Sequence, residues 1–227
     1  MTIVMDAPIR ADFAETVRVD TNQLDWQPSP SPSVSRKRLD LTGDAEASRV
    51  TSLVRYAPNS TFPGHPHPDG EEILVLDGVF EDEHGRYPAG TYLLNPEGYE
   101  HAPRSTEGCT LFVKLRQYPG ARPRITIDTA KGAWEAGSAE GIEIQPLYRA
   151  DGHPEFIRLA RFAPGAATPP HTHTGGEEAY VLEGSIEDEH GVHPAGTWLR
   201  YPDGSSHTVH APDGALLYVK SGHMAGL

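Results

Sequence analysis

A chain of 227 residues with 32 acidic and 19 basic side chains, a formal charge of −13, repels polyanions, and no basic patch interrupts that field, which excludes nucleic acid as a partner. Its 21 prolines and 23 glycines, spread along the sequence, suit short strands joined by turns better than long helices and predict an all-β protein. The single cysteine, Cys109, excludes an intrachain disulfide and a thiolate metal cluster.

Residues 1–16 read as an N-terminal arm. Asp6, Arg10 and Asp12 break any apolar run there, so the arm is expected to be neither a signal-peptide core nor a membrane anchor, and the protein is expected to be cytoplasmic with no membrane partner. Between Trp26 and Val34, Pro28, Pro30 and Pro32 alternate with serines, which forbids helix and predicts an extended run. Short β-prone runs follow at 53–56, 73–76, 91–94 and 110–113, bounded by Gly, Pro, Asn or Asp, and predict successive strands. His84-Gly85 lies midway between two of them, where Gly can take the positive φ of a tight hairpin. Asn95-Pro96-Glu97-Gly98 has the pattern of a type I turn.

The chain then repeats itself. Glu81-Asp82-Glu83-His84-Gly85 and Pro88-Ala89-Gly90-Thr91 return as Glu187-Asp188-Glu189-His190-Gly191 and Pro194-Ala195-Gly196-Thr197, an offset of 106. Val19-Asp20-Thr21 and Trp26 return as Ile127-Asp128-Thr129 and Trp134 at an offset of 108, so a net two-residue length change separates the two blocks. Phe112-Val113-Lys114 matches Tyr218-Val219-Lys220. The repeat predicts one unit over 17–120 and a second over 121–227. Cys109 has Ala215 as its counterpart and reads as a small buried residue near a strand.

Within each copy the same four side chains recur: His65, His67, Glu71 and His101, then His171, His173, Glu177 and His207. Residues two apart on a strand share a face, so each His-x-His pair presents two imidazoles to one side. Asp69-Gly70, or Gly175-Gly176, reverses the chain toward the carboxylate. Strand parity separates Glu71 from Glu72 and selects Glu71, and Glu177 by the same logic. His101 and His207 follow the Pro96 and Pro202 turns, from strands distant in sequence, and are expected to close each set across the barrel. Three imidazoles and a carboxylate suit a divalent cation such as Zn, Fe, Mn or Ni, two ions per chain, and leave an octahedral ion about two open positions for a small-molecule ligand or dioxygen.

The remaining histidines, His84, His153, His190, His193, His210 and His223, lack paired spacing and read as solvated loop residues. The acidic blocks at 81–83 and 187–189 lack the spacing of a calcium loop and read as solvated hairpin flanks. Arg55, Tyr92, Phe112 and Lys114, with Arg161, Trp198, Tyr218 and Lys220 opposite, sit on predicted strands and are candidates to line pockets. Leu74 and Leu76 make the strand face away from the metal apolar as well, so packing of the two units, and a homodimer, is expected to cover it.

The pattern His-x-His-x3-Glu-x6-Gly followed by Gly-x5-Pro-x-Gly-x2-His resembles the two cupin motifs and is complete in both copies. The first runs from His65 through Glu71 to Gly78, then from Gly90 through Pro96 and Gly98 to His101; the second runs from His171 through Gly184, then from Gly196 through Pro202 and Gly204 to His207. The resemblance implies two tandem cupin barrels, double-stranded β-helices of jelly-roll type, each with a metal at its mouth. The wording Gly70-Glu71-Glu72-Ile73-Leu74-Val75-Leu76, with Glu107-Gly108-Cys109, most resembles the cupin half of ChrR-type anti-sigma factors, where the equivalent quartet binds zinc. Those proteins grip their sigma factor through a separate helical domain with its own His and Cys ligands. Nothing equivalent is present here, so direct sigma-factor binding is not expected. The same subgroup resembles small non-haem dioxygenases that cleave carbon-carbon bonds in diketones and hydroxyketones. Two expectations follow: a metal-dependent dioxygenase of that kind, or a noncatalytic zinc-binding regulatory module. No catalytic residue beyond the ligands stands at a fixed spacing; Tyr92 and Glu100 are examples of side chains that could serve in acid-base chemistry.

Overall fold

The computed structural model describes residues 7–44 and 47–227. Strands hold 52% of the residues and helix 3%, the helical part being single 3-10 turns at Thr21–Gln23 and Thr129–Lys131. No helix among the described residues is long and apolar enough to cross a membrane. The all-β expectation holds, and each copy of the repeat builds one barrel.

In the first unit an antiparallel sheet runs in the order Ile125–Asp128, Thr91–Asn95, Glu71–Glu81, Cys109–Leu115, Val50–Tyr56, Val34–Leu41, Gln27–Pro28. Glu71–Glu81 is long enough to serve two sheets. Its first half pairs in this one, while its far end pairs with Arg86–Pro88 and touches Arg104–Ser105. A register shift against Cys109–Leu115 marks the bend between the halves, as bulges do where a strand changes sheet. Ile73, Val75, Leu93, Leu111, Val113 and Phe80 fill the interior. The second unit repeats the plan with Val17–Asp20, Thr197–Tyr201, Glu177–Asp188, Ala215–Ser221, Phe156–Phe162, Ile142–Tyr148 and Glu135–Ala136. Its core holds Val181, Ile186, Leu199, Ala211, Leu217 and Val219.

The units are not bounded where the repeat begins and ends. Residues 7–11 and Asp25–Lys131 form the first, and Asp12–Leu24 with Gly132–Leu227 form the second. The segment Val17–Asp20, which the repeat assigns to the first copy, pairs with Thr197–Tyr201 of the second. Ile125–Asp128, assigned to the second, pairs with Thr91–Asn95 of the first. The two segments are near-copies, so sequence similarity alone cannot tell which barrel edge each one joins. Each is fastened in the same way: Thr21 donates through both its N–H and its hydroxyl to Gly196 O, at 2.9 and 2.7 Å. Thr129 does so to Gly90 O, at 3.1 and 2.6 Å. The described part of the arm is ordered, Ile9 and Leu41 exchanging two backbone hydrogen bonds of 2.9 Å.

Several local expectations shift. The 26–34 run is partly extended, Gln27–Pro28 pairing with Ser35 and Arg36, and then turns back through Ser31, whose carbonyl accepts from Val34 N at 3.1 Å. The turn before the last ligand lies one residue later than predicted: Tyr99 N donates to Pro96 O at 3.0 Å, with Gly98 at φ +78°. In the hairpin, Gly191 takes a positive φ of 123° but Gly85 does not. There the turn is held by Asp82, whose Oδ1 accepts from His84 N and Gly85 N at 2.8 and 3.0 Å.

Gly78 marks where the long strand bends under the loop before Cys109. It has φ +71°, and a Cβ added there would stand 2.0 Å from Gly108 O. Gly184 repeats this against Gly214 O at 2.1 Å. Replacing Gly78 by Ala therefore adds a backbone collision to the cost of a left-handed residue and should destabilise the protein by about 3 kcal/mol or more. Gly120→Ala, at φ +86° with nothing within 4 Å of the new methyl, should cost only about 1 kcal/mol. Urea denaturation midpoints of the two variants check this; equal shifts would contradict it.

Candidate metal centres

His65–His67 pairs antiparallel with Tyr99–His101, setting His101 opposite His65; His171 stands opposite His207 in the same way. The last ligand thus arrives from the adjacent strand of a two-stranded ribbon, not from across the barrel as the sequence suggested. His67 O accepts from both Gly70 N and Gly98 N, at 3.1 and 3.0 Å. This ties the turn into the glutamate strand and the turn into the last histidine to one carbonyl. His173 O does the same for Gly176 N and Gly204 N, at 3.1 and 2.9 Å. Asp69 and Gly70, at φ +55° and +73°, reverse the chain to bring Glu71 in as the first residue of its strand. A Cβ on Gly70 would stand 2.9 Å from Asn95 O and from Tyr118 Cβ, so only glycine fits.

In the second unit the four predicted side chains, His171, His173, Glu177 and His207, offer ligand atoms within 4.8 Å of one another. In the first unit that grouping contains His65, His67 and His101. Glu71 Oε2 lies 3.5 Å from Nε2 of both His67 and His101 but is shared with Asn95, whose Nδ2 donates to it at 2.9 Å. Glu177 Oε1 lies 3.7 Å from His173 Nε2, while its Oε2 accepts from Arg158 Nη2 at 3.1 Å.

Backbone and side-chain acceptors orient the imidazoles. His65 Nδ1 donates to Pro63 O at 2.8 Å and His171 Nδ1 to Pro169 O at 3.1 Å. His101 Nδ1 faces Asp82 Oδ2 at 3.3 Å. His173 Nδ1 faces Ser205 Oγ at 3.0 Å, and that hydroxyl itself donates to Pro202 O at 2.6 Å. Each of these contacts places the ring proton on Nδ1 and leaves the Nε2 lone pair for the centre. His67 Nε2 and His101 Nε2 converge to 2.9 Å. His173 Nε2 and both nitrogens of His207 are buried with no hydrogen-bond partner among the described residues. A buried polar atom left unpaired costs about 1–3 kcal/mol, and a cation accepting these lone pairs removes that cost. The donor sets therefore fit a divalent metal.

Electrostatics keeps three of the ligand histidines in the metal-binding form. Burial pushes His67 and His207 down to about 4, against the opposing carboxylates Glu71 and Glu177, and pushes His173 down as well. All three are neutral near pH 7, as coordination requires. For His101, burial also pulls downward, but the hydrogen bond to Asp82 and the charges of Glu71 and Asp82 outweigh it and raise its pKa. Asp82 is held below the usual carboxylate range: burial would raise it, and hydrogen bonds from His101, His84 N and Tyr87 prevail. Asp188 is lowered likewise, burial being overcome by Tyr201 and His193.

These two aspartates correct the reading of the acidic blocks as solvated flanks. Both side chains are fully buried. Asp82 accepts from Tyr87 Oη at 3.0 Å, and Asp188 accepts from Tyr201 Oη at 2.6 Å and His193 Nε2 at 2.8 Å. His193 is thus a buried supporting residue, not a loop histidine. His223 is not solvated either, its Nε2 lying 2.9 Å from Glu178 Oε1. His84 and His190 are exposed, as expected, and His153 and His210 are partly so. Glu81 is also buried, its Oε2 accepting from Thr106 N and Oγ1 at 2.9 and 2.7 Å. The available signal was that these blocks are among the most faithfully repeated in the chain.

Each centre opens onto a cavity. The first, of about 170 Å³, is bounded by His65, His67 and Glu71 and walled by Val54, Ile73 and Leu111. The second, of about 360 Å³, is bounded by His171, Glu177 and His207 and walled by Ala160, Leu217 and Val219. None of Arg55, Tyr92, Phe112, Lys114, Arg161, Trp198, Tyr218 and Lys220 lines either cavity; neighbouring strand positions of opposite parity do so instead, among them Val54, Leu111 and Val113 in the first and Ala160, Leu217 and Val219 in the second. Cys109 is buried at the head of its strand, as expected, and burial raises its thiol to about 11.

A family model described as the ChrR Cupin-like domain matches twice, over residues 14–119 and 122–225. No curated protein matches the chain in sequence. Among solved structures, a candidate dioxygenase from Nostoc punctiforme superposes with a TM-score of 0.76 at 17% identity, over 94% of this chain and 85% of that one. A variant of oxalate decarboxylase from Bacillus subtilis gives 0.66 at 12% identity, over 90% and 76%. A cupin 2 conserved barrel domain protein from Leptotrichia buccalis gives 0.63 at 14%, over 95% and 99%. At these identities the likeness is one of fold, two tandem cupin domains.

Asp82 touches no metal position and acts by holding His101. Asp82→Asn removes the carboxylate but keeps the shape, so the affinity of the first centre for zinc, read by chelator competition, should fall about 10- to 100-fold with the second centre unchanged. Unaltered affinity at the first centre would show that Asp82 serves the hairpin alone.

Proposed function

The chain belongs to the ChrR cupin-like family, and we propose that it is a metal-dependent dioxygenase that cleaves a carbon-carbon bond of a small diketone or hydroxyketone. The observation that carries this reading is that each ligand cluster stands at the wall of a cavity. A structural metal is closed off by its ligands, whereas a catalytic one keeps open positions beside room for substrate. In this reading His65, His67 and His101, with Glu71 alongside, hold the first ion, and His171, His173, Glu177 and His207 hold the second. Such an ion, if iron, supplies Lewis acidity and one-electron chemistry toward dioxygen. In the net reaction one carbon-carbon bond breaks and both atoms of dioxygen enter the products, one as part of a carboxylate and one as a carbonyl oxygen.

The chain's own residues do the rest. Asn95 steers Glu71 by donating to Oε2, and Asp82 keeps the His101 proton on Nδ1. The apolar walls limit water beside the reacting carbons. A cavity below the 300–1,000 Å³ usual for drug-sized ligands restricts the first site to small molecules.

One observation favours a second reading, a noncatalytic zinc-binding regulatory module. Apart from the ligands, the described residues lining the first cavity include one phenol, Tyr56, and no further carboxyl, imidazole, thiol or amine, and burial drives the Tyr56 pKa upward, out of useful range. Reconstitution with Fe(II) under anaerobic conditions, followed by oxygen-electrode measurements with a panel of diketones and hydroxyketones, separates the two. Oxygen uptake that depends on one of these substrates and disappears in His101→Ala is the expected result. No uptake with any of them would favour the regulatory module.

A further inference from the structure

The cavities beside the two centres differ in size, about 170 Å³ in the first unit and about 360 Å³ in the second. Matching positions of the repeat account for the difference. Where Val54, Ile73, Phe80 and Phe62 line the first cavity, the second is lined by Ala160, Ala179, Ile186 and Thr168, each 106 residues further on and each smaller. Strand pairing supports the equivalence. Val54 lies opposite Leu111 and Ala160 opposite Leu217, while Ile73 lies opposite Leu93 and Ala179 opposite Leu199. Arg158 and Tyr201 are larger than their counterparts Ser52 and Asn95, but both are engaged at the metal end. Arg158 donates to Glu177 Oε2 and Ser221 Oγ at 3.1 and 2.9 Å, and Tyr201 donates to Asp188 Oδ2 at 2.6 Å.

Trimming large side chains from a packed interior without refilling the space costs stability. Walls such as Ala160, Ile186, Leu217 and Val219 offer water no hydrogen bonds, so the space suits an apolar occupant. Among the described residues lining it, Arg158 and Glu177 are the only guanidinium and carboxylate, and they pair with each other. A charged group carried in among the apolar walls would lose its hydration without gaining a partner.

We propose that the second cavity binds a carbonyl compound carrying a bulky uncharged hydrocarbon group, and that the first cavity does not admit it. The oxygens of this ligand face the His171 and His207 end, and its hydrocarbon fills the space that Ala160 and Ala179 leave. The proposal rests on the reading of each centre as the metal end of its cavity. It narrows the ligands of the second centre from diketones and hydroxyketones in general to those with an aryl or branched alkyl substituent. The second cavity lies within the size range usual for pockets that enclose such molecules, about 300–1,000 Å³, and the first lies below it.

Calorimetric titration of the zinc-loaded full chain, without oxygen turnover, tests this with two neutral diketones that differ in one substituent, acetylacetone and 1-phenylbutane-1,3-dione. The phenyl compound should bind at one site per chain and about tenfold or more tighter than acetylacetone. A carboxylate in the para position of its ring should cancel that gain. Ala160→Val with Ala179→Ile gives the second barrel the side chains of the first, and should remove the phenyl site while the protein keeps its zinc. The two single variants, each expected to lose part of the preference, guard against a double variant that does not fold. No binding of the phenyl compound, equal affinity for the two diketones, two phenyl sites per chain, or a preference that survives the refilled cavity would overturn the proposal. Because binding is read on zinc protein, a failure of oxygen chemistry with iron bears on the proposed reaction and leaves this result standing.

Discussion

The structure depends on the convergence of imidazole lone pairs inside each barrel. Burying two of the three histidines in each unit leaves buried nitrogens that find no hydrogen-bond partner among the described residues, as at His173 and His207, or that face each other at 2.9 Å, as at His67 and His101. A fold does not keep such an arrangement for packing, since leaving buried polar atoms unpaired costs free energy that an apolar core would not. A divalent cation would resolve it. The supporting contacts then have one purpose: Pro63 O and Pro169 O, Asp82 and Ser205 occupy the outer nitrogens so that the inner ones stay available. The glycines at the chain reversals before Glu71 and Glu177 exist to aim the carboxylates.

Duplication has preserved that inner constraint and let the outer shell change. Asn95, which steers Glu71, corresponds to Tyr201, which holds Asp188 instead. Tyr87 and His193 are equivalent in position and both serve the buried aspartate of their own unit. Ser52 has become Arg158, which binds Glu177. Such a partly buried arginine withdraws charge from the carboxylate it contacts, so the two ions would sit in different fields despite the same ligands.

Much of this was legible in the sequence because the repeat exposed it. The all-β class follows from composition, the two units from the repeat and the two barrels from the cupin resemblance, while spacing and strand parity single out the side chains that converge in each unit, Glu71 rather than Glu72 approaching the histidines. What the sequence hid has specific physical causes. The exchanged strands Val17–Asp20 and Ile125–Asp128 are near-copies, so neither names its barrel. Asp82 and Asp188 look like hairpin surface by composition; only the bend of the long strand carries them inward. The strand parity that places Arg36 and Arg38 in the cavity, and leaves Arg55 and Lys114 out of it, depends on bulges and register that one sequence does not show.

The central claim is that both barrels hold a metal. Elemental analysis of protein purified without chelators or a metal-affinity tag tests it most directly. The account predicts close to two divalent ions per chain, falling to one when either His101 or His207 is replaced by Ala. Protein that contains no metal as purified and takes up none from excess Zn(II), Fe(II), Mn(II) or Ni(II), while remaining folded, would contradict it.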